Sequence, residues 1–197
     1  AVTAQQAATV LLQGLTAQIL TSETCPLAPG DRVLVHAGAG GVGRLLIQMA
    51  RARGARVIAT VGSAGKVDLV RDLGAERVDD RSREDVVAAG LDWTGGAGVR
   101  AVFDGIGAAT FDGSLAILAR RGMLVLFGQS SGPVAPVDPA RLAAGSFFLT
   151  RPSLFHYIAE RAALLEKIGF DGVTTAEAGH DAFLPIMTAA ASTKKLQ

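Results

Sequence analysis

Residues 33–43 read VLVHAGAGGVG, an apolar run followed at once by a glycine-rich turn. Gly38, Gly40 and Gly43 give the spacing GxGxxG, and an apolar helical stretch at 45–50 follows. In this motif the first glycine allows a tight turn, the second admits a pyrophosphate to the backbone, and the third lets helix and strand pack closely. The first amides of the helix lack intrahelical partners and stabilise an anion. The motif therefore predicts a dinucleotide site, to which we assign Gly38, Gly40, Gly41, Val42 and Gly43.

Strand patterns alternate with helical patterns along the chain. The predicted strands cover residues 32–37, 55–61, 77–79, 99–105, 123–127 and 147–150, and the predicted helices cover 42–53, 66–73, 83–91, 111–119 and 154–168. This alternation implies right-handed βαβ units and a parallel sheet that is buried on both faces. We predict a doubly wound Rossmann α/β fold, with six parallel strands in the order 3-2-1-4-5-6. Gly54, Gly74 and Gly122 are expected to close three helices in the left-handed conformation.

Composition limits the function classes. The 197 residues suit one domain, and 19 Lys plus Arg against 18 Asp plus Glu predict no nucleic-acid partner. The apolar runs are shorter than the ~20 residues that span a bilayer, so no membrane partner is expected. The single cysteine, Cys25, excludes an internal disulfide framework and favours a reducing, cytoplasmic location. Because Met is absent from position 1, we expect the chain to begin inside a longer protein.

The end of the second strand favours NADP over NAD. An NAD-binding domain places an acidic residue there to bind the adenosine ribose. Residues 60–66 read TVGSAGK, and the first acid is Asp68. The hydroxyl of Ser63 and the ammonium of Lys66 would instead attract a 2′-phosphate. Arg81 is a second candidate cation, although a solvated surface charge explains it equally well.

Several motifs together resemble one family. HAGAGGVG at 36–43 is followed by FDGIG at 103–107, FGQSSG at 127–132 and LTRPSL at 149–154. In this order they resemble the quinone oxidoreductases of the zeta-crystallin type, within the medium-chain dehydrogenase/reductase superfamily. Residues 11–17, LLQGLTA, are similar to the family segment that leads from the catalytic lobe into the cofactor domain. The resemblance implies zinc-independent, NADPH-dependent reduction of quinones or enones by a homodimer or tetramer of two-lobed subunits.

The resemblance also implies roles for individual residues. Gly40 to Gly43 would hold the pyrophosphate, and Ser63 and Lys66 the 2′-phosphate. Thr16 matches a family threonine that would help to orient the substrate, while an N-cap or helix-surface hydroxyl remains an equally good interpretation. The nicotinamide half of the cofactor would lie near Gly105, Gly107, Phe127, Gly128, Phe148, Thr150 and Arg151.

The chain departs from the family at several places. The family commonly has a tyrosine at the position of Arg81, and zinc alcohol dehydrogenases have a cysteine ligand where this chain reads TVLL at 9–12. We therefore expect no catalytic zinc. The GroES-like catalytic lobe that precedes this region in the family is absent from the chain. Residues 1–197 are thus predicted to be one NADPH-binding domain, in which 1–24 lead in from that lobe and 169–197 form an atypical end.

Two alternative functions remain open, whereas other enzyme classes lack their sequence motifs. An enoyl or enone reductase of the same superfamily and a non-catalytic NADPH-binding module both remain alternatives. Tyr157 lacks the lysine of a YxxxK signature, because residue 161 is arginine, and no GxSxG or GxxxxGK[ST] motif occurs. Asp104 is expected to fix a turn, and His36 to pack or to bond to the backbone. The expected chemistry is hydride transfer from the nicotinamide, with protein groups mainly positioning the reactants.

Overall fold

The computed structural model describes residues 4–158, with side chains from residue 9 onward. Helix α1 (Ala4–Ile19) continues into a π-helical turn (Leu20–Thr24). The expectations for residues 169–197, and most of the predicted helix 154–168, lie outside the described part. The strands are β1 (Arg32–Val35), β2 (Arg56–Val61), β3 (Arg77–Asp80), β4 (Val99–Asp104), β5 (Leu118–Leu126) and β6 (Phe148–Thr150). The remaining helices are α2 (Gly41–Ala52), α3 (Val67–Asp72), α4 (Val86–Thr94) and α5 (Phe111–Ala116), with 3-10 turns at Ala64–Lys66 and Pro139–Ala144.

The six strands form one parallel sheet in the order β3-β2-β1-β4-β5-β6. This confirms the predicted Rossmann fold and its strand order. The chain runs outward from β1 to β3 and then returns to place β4 on the other side of β1. Open parallel sheets bind ligands outside the carboxyl ends of the strands at such a reversal, so the crevice between β1 and β4 is the expected site.

Side chains alternate between the two faces of the sheet along each strand, and an apolar cluster buries each face. In β1, Val33 and Val35 join an apolar cluster with Ile47 of α2, whereas Leu34 joins a second cluster with Ile117. Each of these side chains is at most 1% exposed. The two clusters explain why the strands read as continuous apolar runs in the sequence.

The glycines after the helices behave differently from one another. Gly54 and Gly74 have φ angles of +80° and +99°, as predicted for residues that close a helix. The prediction for Gly122 is wrong, because α5 already ends at Ala116 and Gly122 lies within β5. A Cβ on Gly122 would stand 2.8 Å from the carbonyl oxygen of Ala119, so this glycine is required by a close backbone approach.

Helix α4 offers a test of local stability. The carboxylate of Asp85 accepts hydrogen bonds from the amides of Val87 and Ala88, at 3.0 and 3.1 Å. We expect Asp85→Ala to lower the free energy of unfolding by about 1 kcal/mol, because these amides lose their cap. Urea unfolding measures the change. Asp92→Ala, at an exposed position of the same helix, is the control, and equal losses in both variants would contradict the capping role.

Candidate functional site

The glycine turn connects β1 to α2 at the switch point. The amide of Gly40 donates to the carbonyl of Ala37 at 2.8 Å and closes the turn. Ala37 itself has a φ of +52°, so the left-handed conformation falls on an alanine and not on Gly38. Gly38 is needed for space instead, because a Cβ there would stand 3.1 Å from side-chain atoms of Ala59 and Val70. The role expected of the first glycine is therefore corrected from turn formation to close packing.

Gly43 and Gly40 determine how helix α2 packs on the turn and how the helix begins. A Cβ on Gly43 would overlap the carbonyl oxygen of Ala37, so α2 packs directly on the turn, as the third glycine of the motif predicts. Gly40 is the N-cap of α2, and no side chain caps the helix within the described part of the chain. Gly40 and Gly41 are exposed and Val42 is half-buried. The free amides at the start of a 12-residue helix thus face a solvent-accessible cradle that fits an anion such as a pyrophosphate.

The residues assigned to a 2′-phosphate lie together beyond β2 and β3. Ser63 and Lys66 are exposed, and the Lys66 amide donates to the Ser63 carbonyl at 3.1 Å. The Arg81 amide donates to the carbonyl of Val61 at 3.1 Å, which ties the end of β3 to β2. The Arg81 guanidinium reaches within 3.8 Å of the place where a Cβ on Gly62 would stand. The Arg81 guanidinium therefore lies beside the turn after β2 that contains the exposed residues Ser63 and Lys66.

The loops after β4 and β5 pack against each other. A Cβ on Gly105 would stand 2.8 Å from the ring of Phe127, and one on Gly128 would stand 2.7 Å from the Gly105 carbonyl oxygen. Gly107 has a φ of +91°, and its Cβ would lie 2.8 Å from the carbonyl oxygen of Gly132. These glycines allow loop 105–110 and loop 127–132 to form one wall of the crevice.

A cavity of about 360 Å³ lies between α1 and the carboxyl end of the sheet. Thr16, Phe127 and Arg151 line it, together with apolar residues. The Thr16 hydroxyl donates to the carbonyl of Leu12 at 2.8 Å, so it is a helix-surface hydroxyl that also borders the cavity. Phe148 lies elsewhere, on the edge strand β6 with 52% of its surface exposed, and the structure does not bring it into this cavity.

Asp104 and His36 belong to a buried polar network. The Asp104 carboxylate accepts from the amides of Ile106 and Gly107, at 2.8 and 3.1 Å, which confirms its predicted role in fixing the turn. It also accepts from the hydroxyl of Ser114 at 2.8 Å. The His36 ring lies 3.1 Å from that hydroxyl through Nε2. His36 is buried and its backbone amide donates to the carbonyl of Phe103 at 3.0 Å, as expected, whereas its ring bonds to side chains.

Thr60 completes the network and, like Ser114, was not anticipated. Its hydroxyl lies 2.9 Å from Nδ1 of His36, and both hydroxyl residues are fully buried. A polar residue inside an apolar strand is the one sequence signal that marks Thr60, because the apolar run 57–61 is otherwise unbroken by polar side chains. A buried hydroxyl needs a hydrogen-bonding partner, which here is the imidazole.

The imidazole of His36 is held neutral. Burial lowers the pKa of His36 from 6.5 to about 4, and the nearby charge of Arg81 acts in the same direction. The Asp104 carboxylate opposes this effect. At neutral pH the ring therefore has one proton and acts as both donor and acceptor.

We expect acid to destabilise the fold through His36. The unfolded chain takes up a proton near pH 6.5, whereas the native ring does so only near pH 4, so stability falls as pH falls between these values. Between pH 7.5 and pH 5 the loss should be about 2 kcal/mol. Urea unfolding against pH measures it, and His36→Gln is the reference because glutamine does not titrate. Parallel stability curves for the two proteins would refute the expectation.

Residues 4–158 contain neither a metal-binding cluster nor a membrane-spanning helix. No group of three or more His, Cys, Asp or Glu side chains there is arranged to hold a metal ion. Cys25 is buried, and burial raises the pKa of its thiol. None of the helices in this part of the chain has the length and apolar character that a membrane span requires.

The Rossmann sheet and the open glycine turn at its switch point define a domain of the dinucleotide-binding class. Comparison with known proteins gives the family. The chain belongs to the family described as zinc-binding dehydrogenase, whose model matches residues 41–158.

Individual relatives match most of this chain. It is 44% identical to the quinone oxidoreductase of Salmonella typhimurium over 167 residues, which cover 84% of this chain and 51% of the relative. It is 40% identical to a 2-haloacrylate reductase of Burkholderia, covering 83% of this chain and 50% of that protein. The structure of Escherichia coli quinone oxidoreductase complexed with NADPH superposes with a TM-score of 0.74 at 44% identity, over 78% of this chain and 47% of the other. This chain therefore spans about half the length of the curated relatives that it matches.

Proposed function

We propose that this chain is the NADPH-binding half of an oxidoreductase that reduces quinones or enones. The observation that carries the proposal is the uncapped start of α2, where exposed Gly40 and Gly41 open at the switch point of the sheet. The similarity to a quinone oxidoreductase complexed with NADPH supports the same cofactor. The exposed side chains of Ser63, Lys66 and Arg81 favour NADPH over NADH by charge complementarity.

The residues of this chain would bind and orient, while the bound nicotinamide would supply the hydride. The first amides of α2 would hold the pyrophosphate, and Ser63 with Lys66 would hold the 2′-phosphate. The cavity that Thr16, Phe127 and Arg151 line would receive the nicotinamide end. The Arg151 guanidinium donates to the amide oxygen of Gln129 at 3.1 Å and would keep this wall in place. Roles for Phe148 and Thr150 remain predictions.

Two substrate classes fit the proposal. The quinone oxidoreductase relative favours a quinone, and the 2-haloacrylate reductase relative favours a conjugated carbon–carbon double bond. Both acceptors take a hydride at an electron-poor carbon and then a proton. A non-catalytic NADPH-binding module is the third candidate, and turnover with either acceptor would exclude it.

We propose that the reaction needs no zinc. The support is the donor set, because the TVLL segment at 9–12 offers no thiolate and Cys25 is buried. Zinc found by metal analysis, together with loss of NADPH oxidation on chelation, would contradict a zinc-independent reaction.

The cytoplasmic location that Cys25 favours also remains a prediction.

We propose a homodimer that forms at the edge strand β6. Within residues 4–158, β6 is an edge strand, which presents unpaired backbone groups to another chain, and the exposed Phe148 adds apolar surface beside them. Analytical ultracentrifugation is expected to show a dimer that Phe148→Lys weakens. A monomer at every concentration, or a dimer unaffected by this change, would contradict the proposal.

The function is tested by binding and turnover together. The 197-residue chain is titrated with NADPH and with NADH by fluorescence, and NADPH oxidation is then followed with a small quinone and with an α,β-unsaturated ketone. Tight NADPH binding without turnover supports a cofactor-binding half that lacks its partner lobe. Turnover would contradict that incompleteness and identify the acceptor class, whereas a preference for NADH would overturn the assignment of Ser63 and Lys66.

A further inference from the structure

One imidazole connects the two loops that the proposed cofactor would contact. His36 directly follows β1 and is 4% exposed. Its ring bonds to Thr60 of β2 through Nδ1 and to Ser114 of α5 through Nε2. Ser114 in turn bonds to Asp104, whose carboxylate accepts from the amide of Gly107. The chain of bonds therefore runs from the glycine turn, across the switch point, to the loop after β4.

The order of the protons in this chain follows from the donors and acceptors. A carboxylate can only accept, so the single hydroxyl hydrogen of Ser114 is directed to Asp104. The Ser114 oxygen must then accept from His36, which places the ring proton on Nε2. The unprotonated Nδ1 accepts from the hydroxyl of Thr60. The opposite tautomer would set a lone pair of Nε2 against a lone pair of Ser114.

We infer that His36, as the Nε2–H tautomer, is a positioning residue that fixes the position of the glycine turn relative to loop 105–110. The link to the turn continues through Thr60, whose carbonyl accepts from the amide of Gly38 at 2.8 Å. The His36 amide also donates to the carbonyl of Phe103 in β4, at 3.0 Å. The same residue thus ties the turn to strands on both sides of β1, through its backbone and its ring. The inference deepens the proposed function, because these two loops are those assigned to the pyrophosphate and to the nicotinamide half.

The surroundings favour a fixed proton order. Asp104 and Arg81 are the charged groups that act on the ring, and they act in opposite directions. The residues Thr60, Asp104 and Ser114 are all 0% exposed, so a surface water molecule cannot replace a lost hydrogen-bonding partner. A buried network of this kind is stable only while every member has its hydrogen-bonding partners. A substitution at one residue therefore changes the hydrogen bonds at the other end of the network.

The test uses Asp104→Asn and nuclear magnetic resonance of the 197-residue chain. In the wild type, the nitrogen shifts of His36 should show a protonated Nε2 and an unprotonated Nδ1. In Asp104→Asn the amide oxygen stays with the amides of Ile106 and Gly107, so the NH₂ group takes the place of Oδ2 and meets the hydroxyls of Ser114 and Thr110. The Thr110 hydroxyl can still donate to the amide oxygen or to the Gly107 carbonyl. Ser114 then accepts from the NH₂ group and donates to Nε2, and the ring proton moves to Nδ1. An Nδ1–H tautomer in the wild type, or an unchanged tautomer in the variant, would overturn the inference.

The positioning role has its own readout, which does not depend on NADPH. The amide resonance of Gly38 should shift in Asp104→Asn, although Gly38 and Asp104 share no direct bond, and an unchanged resonance would overturn the coupling. If this variant does not fold, Ser114→Ala replaces it, and the same Gly38 shift with a mixture of tautomers is expected. The dissociation constant of NADPH should rise about tenfold in either variant, the effect of one lost hydrogen bond. A wild type that binds no NADPH would overturn the proposed function, while the tautomer and the Gly38 shift still decide the inference.

Discussion

Gly43→Ala is expected to abolish NADPH binding and to lower the free energy of unfolding by about 3 kcal/mol. The added methyl group would overlap the carbonyl oxygen of Ala37 and come within 3.0 Å of the Cα of Gly38. Backbone atoms cannot rotate aside as a flexible side chain does. Helix α2 must therefore move away from the turn, and its first amides would leave the positions from which they hold a pyrophosphate.

The control for this change is Gly14→Ala in α1. A Cβ on Gly14 meets no atom within 4 Å, so the same substitution there adds helix propensity without a clash. We expect Gly14→Ala to keep NADPH affinity and to raise stability by up to about 1 kcal/mol. Urea unfolding and fluorescence titration measure both variants. Gly43→Ala with wild-type affinity would show that the third glycine does not position the cradle.

The sheet could be predicted because its information is local. Apolar runs such as 123–127 mark strands, and the alternation with helices requires parallel crossovers, whose handedness and order follow from general rules. The end of α5 was predicted wrongly because a tertiary contact, and not the local sequence, determines it. Arg121 adopts a φ of +60° within β5, and Gly122 packs against β4, so contact with a neighbouring strand ends the helix before the glycine is reached.

The site was predicted where a motif encodes the backbone and missed where distant side chains meet. The GxGxxG spacing identified the turn, but it could not show that Ala37 carries the left-handed conformation. His36 bonds to Thr60, 24 residues away, and to Ser114, 78 residues away. No local pattern relates residues at such separations, because only the completed sheet brings β1, β2 and α5 together.

Lys66→Glu is expected to weaken NADPH binding about 100-fold and to leave NADH binding within twofold of the wild type. The change removes a favourable ion pair with the 2′-phosphate and adds a repulsion of similar size, each equivalent to about tenfold in affinity at an exposed site. NADH has no 2′-phosphate, so its affinity reports any general damage to the site. Equal losses for both cofactors would contradict the proposed role of Lys66.

The matched control is Arg71→Glu, which changes the net charge by the same amount. Arg71 lies on α3, and its guanidinium pairs with Asp68 at a side-chain exposure of 60%, so losing this pair costs little. If Lys66 contacts the 2′-phosphate directly, the preference for NADPH over NADH should fall only in Lys66→Glu. The difference in NADPH affinity between this variant and the wild type should become smaller as the salt concentration rises. A similar fall in both variants would mean that the net electrostatic field of the domain selects the cofactor.

Arg81→Gln separates the two interpretations of Arg81. If Arg81 is a solvated cation, the substitution would leave the NADPH affinity unchanged, whereas if Arg81 binds the phosphate, the substitution would lower that affinity.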